Sequence, residues 1–371
     1  MTMKKLKEFF QKETVLSVAW ILALASMFLV PPSEAYGNYI DFHTLGLLFS
    51  LMAVMAGLQG QGLFRHMGEA VLARVHTTRQ LEGVLIFLPF FSSMLVTNDV
   101  ALITFVPFAL EVLRMAGEET RTIPVVVMQT IAANLGSMTT PIGNPQNLYL
   151  YSHYHLSLGD FFSTMLPLTL VSALLLVLFL VFEKSRPLPT PELTHGYYHP
   201  GKRMRMYLIL FLVSLTSVAD LLPVWALTTL ILLAVLVSDH AILDKVDYSL
   251  LLTFVGFFLF VGNLGQLPAF RALFQQLLNG HEVVCSVLAS QVISNVPAAL
   301  LLSGFTQEGS ALLVGTNLGG LGTLIASMAS LISYKQVARN YPALRGRYLL
   351  WFTAANLLFL AVLFGTYALL A

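Results

Sequence analysis

The sequence predicts an all-α polytopic membrane protein: about nine transmembrane helices and two re-entrant helical hairpins, arranged as an inverted repeat. Three observations predict it. The chain is poor in charge, the charges it has are placed asymmetrically, and three blocks of residues recur in the same order. Of 371 residues, 57% are hydrophobic and 11% charged, whereas soluble domains carry roughly 25% charged residues. Mean hydropathy is +0.77, and so little polar surface cannot clothe two or three globular domains in water. Net charge is +1, from 20 Lys and Arg against 19 Asp and Glu, so no basic field would attract nucleic acid. Cys285 is the single cysteine, which excludes an internal disulfide and any paired-cysteine metal or redox motif.

A helix needs about 20 mostly apolar residues to cross the hydrocarbon core. In chain order, the spans fall at 14–31, 42–63, 122–151, 160–183, 204–219, 222–238, 247–265, 308–333 and 347–370. The first follows Lys4, Lys5, Lys7 and Lys12, as a signal peptide would. Its apolar stretch is long and Pro31-Pro32-Ser33-Glu34 makes a poor cleavage site, so it is expected to be retained. Segment 204–219 is short because Arg205 and Asp220 bound it.

Two apolar stretches fit no span. Residues 81–113 are too long for one straight helix and too short for two, since each half reaches only about 24 Å. Residues 281–305 have the same problem, with Ser294-Asn295-Val296-Pro297 in the middle. Both read as hairpins, at 81–115 and 281–305, that enter the membrane and return to the same side. Non-helical backbone at that depth must be buried in protein or line a cavity. Charge placement supports this. If both hairpins return, 19 of the 20 Lys and Arg share the cytoplasmic side with the N-terminus, and only Arg271 lies outside. If 81–113 crossed instead, Arg114, Arg121 and the five basic residues from Lys184 to Arg205 would move outside. The N-terminus is expected in the cytoplasm and the C-terminus outside.

The recurring blocks run Asp41-Phe42 with Leu58, Phe64 and Arg65 against Asp247-Tyr248 with Leu264, Phe270 and Arg271. Next, Ser93, Thr97, Asn98 and Ala101 match Ser290, Ser294, Asn295 and Ala298. Last, Asn134-Leu135-Gly136, Thr140 and Ile142 match Asn317-Leu318-Gly319, Thr323 and Ile325. The offset falls from 206 to 197 to 183, as loops shorten between blocks. Five spans separate equivalent points, and an odd number inverts the second half. The chain therefore divides into a half at 1–183, a Pro-rich linker at 184–203 and an inverted half at 204–371. Broken helices are expected at 122–151 and 308–333. Inverted repeats with broken elements meeting near the midplane are a signature of secondary transporters.

Four polar clusters lie where lipid-facing residues should be apolar: Thr97-Asn98-Asp99, Thr139 to Asn147 (TTPIGNPQN), Ser294-Asn295, and Thr316-Asn317 with Thr323 and Ser327. Free N–H groups at hairpin tips suit an anion, while carbonyls and Ser, Thr and Asn oxygens suit Na⁺. The expected substrate ligands are Thr97, Asn98, Asn144, Ser294, Asn295, Pro297 and Thr323. Ion-coupling residues are expected at Ser93, Asp99, Asn134, Thr139, Thr140, Gly143, Asn147, Ser290, Thr316, Asn317 and Ser327. Asn134 and Asn317 also suit interhelical hydrogen bonding, and Gly143-Asn144-Pro145 also suits a surface turn. Asp99 is the only carboxylate expected in the core, where an acid carries a proton, binds a cation or caps its helix. The pairs His153/His155 and His195/His199 lack supporting carboxylates or cysteines and read as loop histidines. Gly57, Gly60 and Gly62 follow no strand and form no phosphate loop.

The strings TNDVALITFVPFAL (97–110) and AANLGSMTTPIGNPQNLYLY (132–151) resemble the ion transporter superfamily of arsenite permeases, NhaD-type Na⁺/H⁺ antiporters, and citrate and divalent-anion symporters. They look closest to its YbiR-like anion permeases. The resemblance implies a dimerising scaffold domain and a transport domain that holds both hairpins and moves as an elevator. It implies that Thr97-Asn98 and Ser294-Asn295 touch substrate and Na⁺, and that the breaks at 139–147 and 323–327 complete two Na⁺ sites. Asp99 and Val296 stand where the divalent-anion symporters have Thr, and an Asn-Asp tip is closer to the arsenite permeases. The expected function is secondary transport of a small inorganic or organic anion across the inner membrane, coupled to Na⁺ or H⁺. The alternatives are a cation/H⁺ or metalloid/H⁺ antiporter using Asp99, and an anion channel. No resident cofactor or metal is expected; the expected partners are the lipid bilayer and a second copy of the chain. No nucleophile–base or metal–ligand set points to an enzyme.

Overall fold

A computed structural model describes residues 13–34, 36–63, 75–188 and 201–370. The four N-terminal lysines, Phe64, Arg65, His195, His199 and most of the linker lie outside the described residues. Among the described residues the regular structure is helical, with one isolated β-bridge between Thr77 and Pro187.

The α-helices of nine or more residues are α1 Thr14–Met27, α2 Phe42–Gly60, α3 Thr78–Ser92, α4 Asn98–Met115, α5 Thr122–Ser137, α6 Pro145–His153, α7 Leu158–Phe182 and α8 Lys202–Val218. Then come α9 Val224–Ser238, α10 Tyr248–Gly265, α11 Pro268–Leu278, α12 Glu282–Ile293, α13 Asn295–Ser303, α14 Gly309–Gly319, α15 Met328–Asn340 and α16 Arg345–Leu370. By length and composition, four segments among the described residues can cross a membrane: α2, α7, α10 and Pro342–Leu370, which contains α16. The shorter apolar helices are Val15–Met27, Val224–Ser238 and Glu282–Ile293. The expected spans at 122–151 and 308–333 are each broken in two, α5–α6 and α14–α15. Helix α7 exposes Leu166, Leu170, Leu174 and Val181 along its length. A helix apolar all round belongs in hydrocarbon rather than water.

Packing sorts the helices into two groups. Helix α2 packs on α8 and α9, and α10 packs on α1. The second group holds α3 to α7 and α12 to α16, and within it the two halves of the sequence interleave. Helix α3 packs on α5, and α12 on α14; α4 packs on α15, and α13 on α6. The groups meet where α10 touches α13 and α2 touches α6.

Both pairs α3–α4 and α12–α13 are interrupted at the expected polar residues, and the two helices of each pair pack on one another. Between α3 and α4 the turn takes residues 93–97, and Thr97 is extended (φ −66°, ψ 151°). Between α12 and α13 the single residue Ser294 makes the interruption, at φ 74° and ψ 155°. That region is sparsely populated by anything but glycine and costs about 1–3 kcal/mol. The first arm of each pair lies against a glycine of the neighbouring broken helix. A Cβ on Gly136 would stand 2.0 Å from the Phe90 carbonyl oxygen and 2.7 Å from Ser93 Oγ. On Gly319 it would stand 2.5 Å from Ser290 Oγ.

The base of α3 is pinned by an ion cluster that sequence reading did not find. The Arg121 guanidinium bonds the buried Glu82 carboxylate and also Glu183 Oε2, at 2.9 Å. Arg79 Nη2 donates to the Glu183 carbonyl at 2.7 Å. These contacts join the start of α3, the start of α5 and the end of α7.

Candidate functional site

The two helix breaks, residues 138–144 and 320–327, lie side by side in the second helix group and exchange hydrogen bonds between the halves of the chain. Asn144 Nδ2 donates to Ser137 Oγ at 2.7 Å and reaches Asn317 Oδ1 at 3.5 Å. In the opposite sense, Ser327 Oγ donates to Asn134 Oδ1 at 3.2 Å. Asn317 Nδ2 donates to Asn147 Oδ1 at 2.7 Å, and Asn147 Nδ2 turns back to the Ser137 and Thr140 carbonyls. Asn144 and Ser327 share an extended backbone, at φ −143°, ψ 147° and φ −142°, ψ 135°. Each begins the second arm of its broken helix. The first break persists because Pro141 and Pro145 lack N–H groups and Asn147 Nδ2 takes up the Ser137 and Thr140 carbonyls; in the second, which holds no proline, Gln291 Nε2 takes up the Gly319 and Leu321 carbonyls.

The tips join the same network. Asn98 Nδ2 donates to Asn134 Oδ1 at 2.8 Å, and Asn295 N donates to the Ala326 carbonyl at 3.0 Å. At each tip the Asn carbonyl oxygen accepts the next backbone N–H: Asp99 N to Asn98 Oδ1 at 2.9 Å and Val296 N to Asn295 Oδ1 at 3.0 Å. Each tip is also bolted to a break by a threonine. Thr140 Oγ1 donates to the Met94 carbonyl, and Thr323 Oγ1 to the Gln291 carbonyl at 3.3 Å.

Two polar-lined cavities open around this network. One of about 160 Å³ is lined by Asn98, Asp99, Gln146, Ser294, Asn295, Pro297 and Ser327, with Asp247 from α10. The other, of about 370 Å³, is lined by Thr97, Asp99, Asn144, Lys245 and Asp247 together with apolar residues of α2. A third, of about 490 Å³, is walled by Phe87, Leu88, Phe91, Leu208 and other hydrocarbon. It is larger but carries none of the polar chemistry.

Of the expected residues, Thr97, Asn98, Asp99, Asn144, Ser294, Asn295, Pro297 and Ser327 therefore reach a polar cavity. Asn134, Thr140, Asn147 and Asn317 hold the network behind it. Gly143 is a packing residue, since a Cβ there would stand 2.0 Å from the Ser137 carbonyl oxygen. Ser93, Ser290, Thr139 and Thr316 bond carbonyls of their own helices. Thr323 is exposed and lines neither cavity; its contacts are the bolt to Gln291.

Two cavity residues were missed. Gln146 is 1% exposed and its Nε2 has no partner. Asp247, expected only as the counterpart of Asp41, lines both cavities beside Asp99. Asp99 is thus not the sole acid facing this space, and Glu82 is a further buried carboxylate. The reason is tertiary: α10 packs on α13, which carries its first residues to the tip. Four buried polar atoms are left without a protein partner here: the acceptors Asp99 Oδ1 and Asn144 Oδ1, and the donors Asn134 Nδ2 and Gln146 Nε2. Buried polar atoms are normally paired, so a cluster of four calls for a ligand, an ion or water.

The sequence profile of the citrate transporter family matches residues 10–311. The chain is 31% identical over 325 residues to the "Inner membrane protein YbiR" of Escherichia coli, covering 85% of each. It is 30% identical over 336 residues to the "Uncharacterized transporter MJ0456" of Methanocaldococcus jannaschii, covering 90% of this chain and 91% of that one. A shorter match, 34% over 138 residues and 28% of the relative, is to the rice "Silicon efflux transporter LSI3". With its apolar helices and these relatives, the chain belongs to the citrate transporter family: it is a multi-pass membrane transport protein and not an enzyme.

Proposed function

We propose that this chain is a secondary active transporter that moves a small anion across the inner membrane, coupled to Na⁺ or H⁺, by alternating access. The observation that carries this reading is the mixed polarity of the unpartnered atoms. Asn134 Nδ2 and Gln146 Nε2 suit an anion, and Asp99 Oδ1 and Asn144 Oδ1 suit a cation. One site that wants both charges is what cotransport requires. The reciprocal bonds Asn144–Asn317 and Ser327–Asn134 support an inverted repeat, because the offset of 183 that takes Asn144 to Ser327 and Asn134 to Asn317 turns one bond into the other. Division into two helix groups, one carrying both tips and both breaks, supports a scaffold and a moving transport body. A membrane potential of 100 mV supplies about 2.3 kcal/mol per net charge carried.

Reconstituted protein should accumulate a labelled small anion against its gradient when an inward Na⁺ or H⁺ gradient is imposed. Dissipative flux without accumulation would mean a channel. The second reading, a cation/H⁺ or metalloid/H⁺ antiporter, rests on the unpartnered Asp99 Oδ1. Na⁺-driven anion uptake unaffected by Asp99→Asn would exclude it.

A further inference from the structure

We propose that Asp247 is a ligand of the coupling cation, forming with Asp99 and Asn144 an alkali-cation site at the boundary between the two helix groups. The proposal rests on the transport reading and adds to it a residue and a ligand class. Asp99 comes from the tip of α4, Asn144 from the break before α6, and Asp247 from the start of α10. All three line the cavity of about 370 Å³, and the two acids share the smaller cavity as well. Asn144 is 3% exposed and its Oδ1, an acceptor, has no partner. Asp99 Oδ1 is likewise buried and unpartnered. Three oxygen-bearing side chains with no sulfur or imidazole among them are the donor set of a hard cation. Two carboxylates and one amide bring few charges for a divalent ion, which favours a monovalent one.

The other charged groups at these cavities are Lys245 in one, and Glu13 and Lys335 in the other. Lys245 therefore offsets one of the two carboxylates in the larger cavity and leaves net negative charge for an ion. Asp247 has a second duty that complicates substitution. Its Oδ1 accepts Leu250 N at 2.9 Å and so caps α10. Asn and Ser cap a helix about as well as Asp, so Asp247→Asn and Asp247→Ser remove the charge and keep the cap. Asp41 caps α2 through Thr44 N in the same way and lines neither cavity. Asp41→Asn is thus the matched control.

The test is the thermal unfolding midpoint of the purified full chain, titrated with NaCl against choline chloride at constant ionic strength and without any anion substrate. Wild type and Asp41→Asn should be stabilised with the same half-saturating Na⁺ concentration. Asp247→Asn and Asp247→Ser should need about tenfold more Na⁺ or more, as expected when one of two attracting charges is removed. Their midpoints without Na⁺ should match wild type, which shows that the fold is intact. An unchanged Na⁺ titration in both Asp247 variants would overturn the proposal, as would stabilisation of wild type by acid but not by Na⁺. The transport reading fails separately, if no anion is accumulated by wild type in vesicles.

Discussion

At Asn134 one amide oxygen serves both halves of the chain, accepting from Asn98 of the first tip and from Ser327 of the second break. Its Nδ2 is consequently the group left over, unpartnered like the Nε2 of Gln146. Gln146 gives the sharper experiment because it lines the cavity and bonds nothing. Gln146→Glu is close to isosteric but replaces a donor with a negative charge. It should raise the half-saturating anion concentration about tenfold or more, the cost of losing one donor and gaining one repulsion. Competition uptake in proteoliposomes reads this directly, and an unchanged value would remove Gln146 from the anion site. The asparagines were legible in the sequence because an amide inside an apolar run has no reason to be there except a buried partner. Gln146 stands in the string TTPIGNPQN but was not singled out, since nothing local distinguishes an amide aimed at a cavity from one aimed at a backbone carbonyl. Thr323 shows the converse. Thr323 is exposed and its counterpart Thr140 partly buried, and both hydroxyls donate to a carbonyl at a tip.

Helix ends were legible to within a few residues wherever an apolar run stops at polar groups. The span expected at 160–183 is the helix Leu158–Phe182, and the one at 247–265 is Tyr248–Gly265. The second arm α15 runs to Asn340, beyond the expected 333, because Lys335 and Arg339 continue a helix that hydropathy alone ends early. What holds the arms together was read only as a recurring Asn-Leu-Gly string, and the structure supplies its reason. The glycine lets the helix before each tip approach the broken helix, so Gly136→Ala and Gly319→Ala should each destabilise by about 1–3 kcal/mol or more through overpacking. Gly365→Ala, on α16 with nothing within 4 Å of a new Cβ, should be neutral or slightly stabilising. Thermal midpoints of the three purified variants check the contrast. Equal midpoints would mean that the arms can separate without cost. The Arg121 cluster had no such signature, because Glu82, Arg121 and Glu183 are far apart in the chain and each reads alone as a surface charge.

Over the whole molecule, orientation is the feature most open to a direct check. If the second half is inverted, the loop after α4 faces the cytoplasm and the loop before α12 faces outward. In a Cys285→Ser background, Thr120→Cys should react with an impermeant maleimide only in inside-out vesicles, and Asn279→Cys only in intact cells. Both positions are exposed in the structure. Labelling from one common side would overturn the inverted arrangement. The helical, membrane-embedded class was legible from composition, and the order of the repeats marked the positions 122–151 and 308–333 at which helices break. Which helices group together was not, since interleaved packing joins α4 with α15 and α6 with α13 across long stretches of sequence.

The bonds Asn144–Asn317 and Ser327–Asn134 carry a consequence for how the chain is made. Each half's break finds part of its hydrogen bonding in the other half. While the ribosome is still producing the second half, the first waits in the bilayer with Asn134, Asn144 and Asn147 short of their last partners. Those bonds can close only after Asn317 and Ser327 have been made. The first half, synthesised alone, would leave those amides without their partners from the second half.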